Sequence, residues 1–166
     1  DVVYPQLRER LLAQGQVLEL PAGAKGVPDL TGIIDDADAE LTGTWKRSDN
    51  FKPHVGPAYV HDDKRADGKS QAIFRFKAPK AGKYELRMAY SAHATRATNV
   101  PVVITSGSHE KRIRVDQTQP LPAGELFRTI GTVQLEGGVE TLIAIDNNGT
   151  DGFVIVDALQ LIPANN

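Results

Sequence analysis

The sequence predicts an all-β fold, a β-sandwich of jelly-roll type with a short N-terminal helical segment. Three observations carry this. From Thr31 onward, about nine short apolar runs follow one another between Gly, Pro, Asn and Asp punctuation, the spacing of a sandwich or jelly roll. Several runs alternate strictly: Tyr84, Leu86, Met88 and Tyr90 fall on one face, with Lys83, Glu85 and Arg87 on the other. That is the period of a half-buried strand. One stretch alone has helical spacing: in residues 4–14, Pro5 suits a first turn, Leu7 and Leu11 lie four apart, and Gly15 is a stop.

The chain has 166 residues, 40% of them hydrophobic, enough for a domain with a real core. Residues 1–30 read as the helical segment and a Pro/Gly-rich linker, the tail of a preceding domain; residues 31–166 read as the β-module. Nineteen Lys+Arg against 21 Asp+Glu leave a formal charge of −2. Neither nucleic acid nor a membrane is expected as a partner. No apolar run approaches the roughly 18 residues that span a bilayer. With no cysteine, disulfides and thiolate metal sites are excluded.

The elements follow in order. Gly32-Ile33-Ile34 starts a strand that Asp35-Asp36-Ala37-Asp38 ends. Thr44-Trp45-Lys46 and Ala58-Tyr59-Val60-His61 are short strands around a loop at residues 48–57, and residues 62–69 form a charged turn. Ala72, Phe74 and Phe76 alternate, and Pro79-Lys80-Ala81-Gly82 turns the chain into residues 82–117. This stretch is expected to frame the domain: a strand ending at Tyr90, a polar loop over 91–99, then Val100-Pro101-Val102-Val103-Ile104-Thr105 and residues 112–117. A rigid strand pair presenting a polar loop is a common way to build a binding site. Residues 127–135 form a strand with a bulge at Gly131. Val139, Thr141, Ile143 and Ile145 alternate in the next, and residues 153–162 close the chain as one apolar strand containing Asp157.

No catalytic constellation stands out. The sequence holds no Gly-x-Ser-x-Gly elbow, phosphate loop or dinucleotide fingerprint. His54, His61, His93 and His109 lack close metal-ligand spacing. The pairs Asp35-Asp36 and Asp62-Asp63 point to opposite faces if they lie on strands, and turn chemistry accounts for both. No cofactor is expected; a structural Ca²⁺ in an oxygen-rich loop is the one option left open. Asp157, in an apolar strand, must be paired or hydrogen-bonded, with Arg96, Arg112 or Arg114 as partner. Trp45, Tyr59 and Tyr90 are the aromatics able to stack on a sugar ring, while Arg, Asn, Gln and His bind hydroxyls or carboxylates. Against this, a lone tryptophan commonly fills a core.

These residues, in this order, resemble the golvesin C-terminal-like domain, also described as a xanthan lyase carbohydrate-binding-type module. The matching blocks are Gly43-Thr44-Trp45, Tyr59, Gly82-Lys83-Tyr84-Glu85, Arg96-Ala97-Thr98-Asn99, Val115-Asp116-Gln117, Ile130-Gly131 and Val154-Ile155-Val156-Asp157-Ala158. Leu126-Phe127 stands where that family commonly has Trp. The resemblance spans residues 32–163. It implies a β-sandwich without catalysis of its own, attached to a neighbouring domain of a larger extracellular or periplasmic bacterial protein, and it implies polysaccharide binding, with an acidic, xanthan-like glycan as one option. The site residues expected on this basis are Arg96, Asn99, His93, Tyr90 and Gln117, with Trp45 and Arg47 contributing. Arg96 leads them, because a planar fork of donors suits a uronate or pyruvyl carboxylate. The alternative is a module that orients a catalytic neighbour, its Arg96–Asn99 block serving as a buried structural network.

Overall fold

The computed structural model describes residues 32–164. The expected helix over 4–14 and the linker lie outside them. Among the described residues the chain forms twelve strands and one short 3-10 turn. The strands are β1 (Ile33–Asp35), β2 (Glu40–Thr42), β3 (Lys46–Ser48), β4 (Tyr59–His61), β5 (Asp67–Lys77) and β6 (Gly82–Ala89). The second half supplies β7 (Val100–Ser106), β8 (His109–Val115), β9 (Arg128–Leu135), β10 (Glu140–Asn148), β11 (Ile155–Val156) and β12 (Ala158–Pro163).

Two antiparallel sheets make the sandwich: a four-stranded sheet in the order β1-β12-β6-β9 and a five-stranded sheet in the order β2-β5-β10-β7-β8. A small sheet, β11-β4-β3, accompanies them. The alternating residues do what their spacing requires. Tyr84, Leu86 and Met88 from β6 meet Phe74, Val102, Ile104, Ile143 and Ile145 from the facing sheet in one core cluster. Burying such side chains contributes about 1.5–3 kcal/mol each. A second cluster (Ile33, Val55, Ala89, Leu126, Phe127 and Ala158) covers the other face of the four-stranded sheet.

The structure corrects several expectations. Strands β6 and β7 are not a pair but belong to different sheets, so the loop 90–99 crosses from one layer to the other. The run around Trp45 is not one strand; β2 ends at Thr42, and β3 begins at Lys46. The charged turn is shorter than expected, because β5 already starts at Asp67. The bulge near Gly131 falls at Ile130, where the pairings Leu86↔Gly131 and Arg87↔Thr129 leave one residue over. The closing apolar run is two strands in two sheets, divided at Asp157.

Candidate functional site

The crossing loop is fastened from both sides. Arg96 forms a single parallel bridge with Phe153, in which Ala97 N–H donates to Phe153 O at 2.9 Å and Phe153 N–H donates to Thr95 O at 3.0 Å. Gln117 N–H donates to Ala97 O at 2.9 Å. Asn99 closes the neighbouring turn, its Nδ2 donating to Gly149 O at 3.0 Å and its Oδ1 accepting from Asp151 N–H at 3.2 Å. Asp151 in turn accepts from Thr98 N–H at 2.7 Å and from the Thr98 hydroxyl.

Held by this strut, the Arg96 side chain is 6% exposed. Its Nε donates to Ser91 O at 2.9 Å, its Nη2 to Ser91 Oγ at 3.2 Å, and the Tyr59 phenol is a further hydrogen-bond partner. Its guanidinium carbon lies 4.6 Å from the Phe51 ring centroid, cation–π distance. His93 packs on the same ring at 4.8 Å, tilted by 55°. Phe51 is 38% exposed, its N–H donating to the Tyr59 hydroxyl at 3.3 Å. Among the described residues no ion pair involves Arg96. Burial holds the guanidinium below its ordinary pKa, yet an arginine stays charged at any working pH. A guanidinium has five donors, and Ser91 and Tyr59 do not use them all. The arrangement is a positive charge that no described carboxylate pairs, beside an exposed aromatic ring.

The seven expected site residues therefore separate. Arg96 and His93 meet, joined by Phe51, which sequence reading left as anonymous loop. Tyr90 and Gln117 are fully buried. Tyr90 donates its hydroxyl to Gln119 O at 2.7 Å and accepts from Arg128 Nη1 at 3.0 Å. Gln117 spends its amide on the Ile155 backbone, accepting from N–H at 2.8 Å and donating to O at 2.9 Å. Asn99 is committed to the turn described above. Trp45 is half-buried against the core, and its indole N–H donates to Thr42 O at 2.9 Å and Gln71 O at 3.3 Å. Arg47 stands exposed on β3, opposite Val60.

Residues 32–163 match the family model of the golvesin C-terminal domain. The chain belongs to that family. Over 144 residues the golvesin domain is 31% identical to the xanthan lyase of Bacillus sp. (strain GL1), covering 82% of this chain and 15% of the lyase. It thus spans under a sixth of that relative. The solved Paenibacillus xanthan lyase superposes with a TM-score of 0.71 at 29% identity, over 80% of this chain and 13% of that one. A family 35 carbohydrate-binding module from Clostridium thermocellum superposes with a TM-score of 0.55 at 20% identity, over 80% of this chain and 97% of the module. The last likeness is one of fold: the golvesin domain is built as these carbohydrate-binding modules are.

A second polar cluster lies where β1 and β12 meet. Asp36 N–H donates to Asp157 O at 2.6 Å. The side chains of Asp35, Asp36 and Asp157 are all buried, and one carboxylate oxygen from each lies within 4.8 Å of the others. The expectation that Asp35 and Asp36 diverge fails, because Asp36 opens a 3-10 turn instead of continuing the strand. Among the described residues no arginine pairs with Asp157. Its Oδ2 accepts from Val55 N–H at 2.9 Å, and its Oδ1 is buried without a hydrogen-bond partner among the described residues. Burial, then the charge of Asp35, pushes Asp36 up to about 9; burial likewise raises Asp157 well above the carboxylate range.

Proposed function

We propose that this golvesin domain is a non-catalytic accessory module of a larger secreted protein, and that it binds an acidic polysaccharide at the Arg96–Phe51–His93 surface. One observation carries the reading: Arg96 is a buried cation with spare donors and, among the described residues, no carboxylate partner, set beside an exposed ring. An uncompensated buried charge is costly unless something pairs with it. A uronate or pyruvyl carboxylate from a glycan supplies that pairing in the fork geometry a guanidinium favours. Phe51 offers an apolar face to the C–H side of a pyranose, and His93 adds a polar edge. Kinship with xanthan lyases supports a glycan partner, xanthan being the first to try.

The test is affinity gel electrophoresis of the domain in neutral and acidic polysaccharides, xanthan included. Retardation confined to acidic glycans, and lost in Phe51→Ala, is the expected outcome. Equal mobility in every gel would remove the binding reading. That result favours the second one, a module that orients a neighbouring domain. The committed side chains of Asn99, Gln117 and Thr98 speak for it, since each is spent on loop architecture.

A further inference from the structure

The carboxylate cluster has an unusual composition for a protein interior. Asp35 and Asp157 are each 2% exposed and Asp36 is 8% exposed. Carboxylates are rarely buried unless paired or bound to a metal. The charge of Arg47 favours ionised Asp36, and this residue is exposed on β3. For Asp157 the polar balance is incomplete: one oxygen is satisfied by Val55 N–H, and the other is sealed from solvent with no donor. A buried acceptor left in that state costs about 1–3 kcal/mol. Among the described residues no basic side chain answers it, and a cation is a group that would.

The chemistry of the donors narrows the ion. All three are hard carboxylate oxygens with no nitrogen or sulfur among them, a set that suits Ca²⁺, Mg²⁺ or Mn²⁺. Calcium–oxygen distances are about 2.3–2.6 Å, so oxygens on opposite sides of the ion lie about 4.6–5.2 Å apart. The three carboxylate oxygens, all within 4.8 Å of one another, lie close enough to share one such ion. Magnesium demands near-ideal octahedral geometry and keeps several waters, which a buried site discourages.

We propose that Asp35, Asp36 and Asp157 together hold one Ca²⁺ ion. The ion ties the end of β1 to the start of β12. It also supports the loop over 49–58, because the Val55 N–H that anchors this loop is donated to the Asp157 carboxylate, and the same loop carries Phe51. The site stands whether or not the domain binds a glycan.

The experiment uses the full chain after chelator treatment, titrated with CaCl₂ by calorimetry and melted with and without it. One equivalent of Ca²⁺ is expected to bind per chain. At a hundredfold excess over Kd the melting temperature should rise by about 5–10 °C. Asp157→Asn keeps an acceptor for Val55 N–H but removes a charged ligand, so this variant should lose calcium binding. Without metal it should melt no lower than the chelated parent, because a neutral amide never carries the burial cost of an ionised carboxylate. Asp36→Asn serves the same purpose should the first variant not fold. The proposal is overturned if CaCl₂ leaves the parent's melting temperature unchanged. It is equally overturned if either folded variant responds to calcium as the parent does.

Discussion

The guanidinium carbon of Arg96 lies 4.6 Å from the centroid of the Phe51 ring, and the two residues come to that distance from opposite sides of the site. Arg96 is fixed from beneath by Ser91, Tyr59 and the bridge to Phe153. Phe51 arrives on a surface loop. The division separates support from contact, and it makes the two residues respond differently to substitution.

Phe51→Ala should leave the fold nearly untouched. The ring is an exposed large apolar group, and surface truncations usually stay within about 0.5 kcal/mol; the lost cation–π contact adds about 0.5–1 kcal/mol. Glycan affinity should nonetheless fall by about tenfold or more, since a stacked aromatic is an interface anchor. Melting curves and gel retardation of one preparation decide this. A large loss of stability with retardation intact would contradict it.

Arg96→Ala should be costly in both respects. It removes hydrogen bonds at Ser91 and Tyr59 and leaves a void at a 6% exposed position. A loss of about 2–3 kcal/mol is expected, seen as a drop of about 4–12 °C. Arg96→Lys keeps the charge but not the fork; it should recover part of the stability and little of the affinity for acidic glycans. If Lys restores affinity in full, the bidentate reading is wrong.

A pH dependence centred on His61 is expected. Its pKa is held below 6.5, chiefly by burial and partly by the charge of Arg96, against the opposing charges of Asp63 and Asp62. The Nδ1 atom accepts from Asp63 N–H at 3.1 Å, so the folded state needs that nitrogen unprotonated. The unfolded chain therefore takes up a proton at a higher pH than the folded one. Stability from this source is complete above 6.5 and is lost as pH falls below it. Asp63, Asp67, Asp116 and Asp151, all held below 3.8, act in a separate and lower window. Asp36 and Asp157, held above the carboxylate range, act in the opposite sense and lose stability as pH rises. The acid limb is therefore read as the difference between parent and His61→Gln in melts between about pH 5 and 8, along which the parent's margin should shrink. An unaltered limb in the variant assigns the effect elsewhere.

How far the sequence spoke depended on how far burial was local. Tyr84, Leu86 and Met88, or Ile143 and Ile145, alternate because one face of a long strand enters the core, and such strands are legible. Glu40, Leu41 and Thr42 form β2 with all three exposed, so no alternation marks it. The run ending at Pro163 is apolar but for Asp157 and Gln160, and no turn residue in it announced the change of sheet at Asp157. The same holds for the site. Arg96 and His93 stand out in a polar loop, whereas Phe51 acquires meaning only when a distant loop is laid over them. The carboxylate cluster was obscured by a sound rule wrongly placed, since alternation separates Asp35 from Asp36 only while the strand continues.

Gly152→Ala tests the strut on which the candidate site rests. Gly152 is buried, and a Cβ there would come 2.5 Å from Arg96 C, 2.6 Å from its O and 2.7 Å from Ala97 N. All three are backbone atoms, so no rotamer change relieves the contact. Either the segment around Phe153 or the one around Arg96 must move, and the bonds of 2.9 and 3.0 Å between them are the first to stretch. Overpacking of this kind costs about 1–3 kcal/mol. The displacement also shifts Arg96 relative to Phe51, so glycan retardation should weaken even at temperatures where the variant is fully folded. Chemical-shift changes confined to residues near 91–99 and 149–154 would fit this account. A variant that melts like the parent and binds like it would show that the two loops yield independently, and that the bridge does not position Arg96.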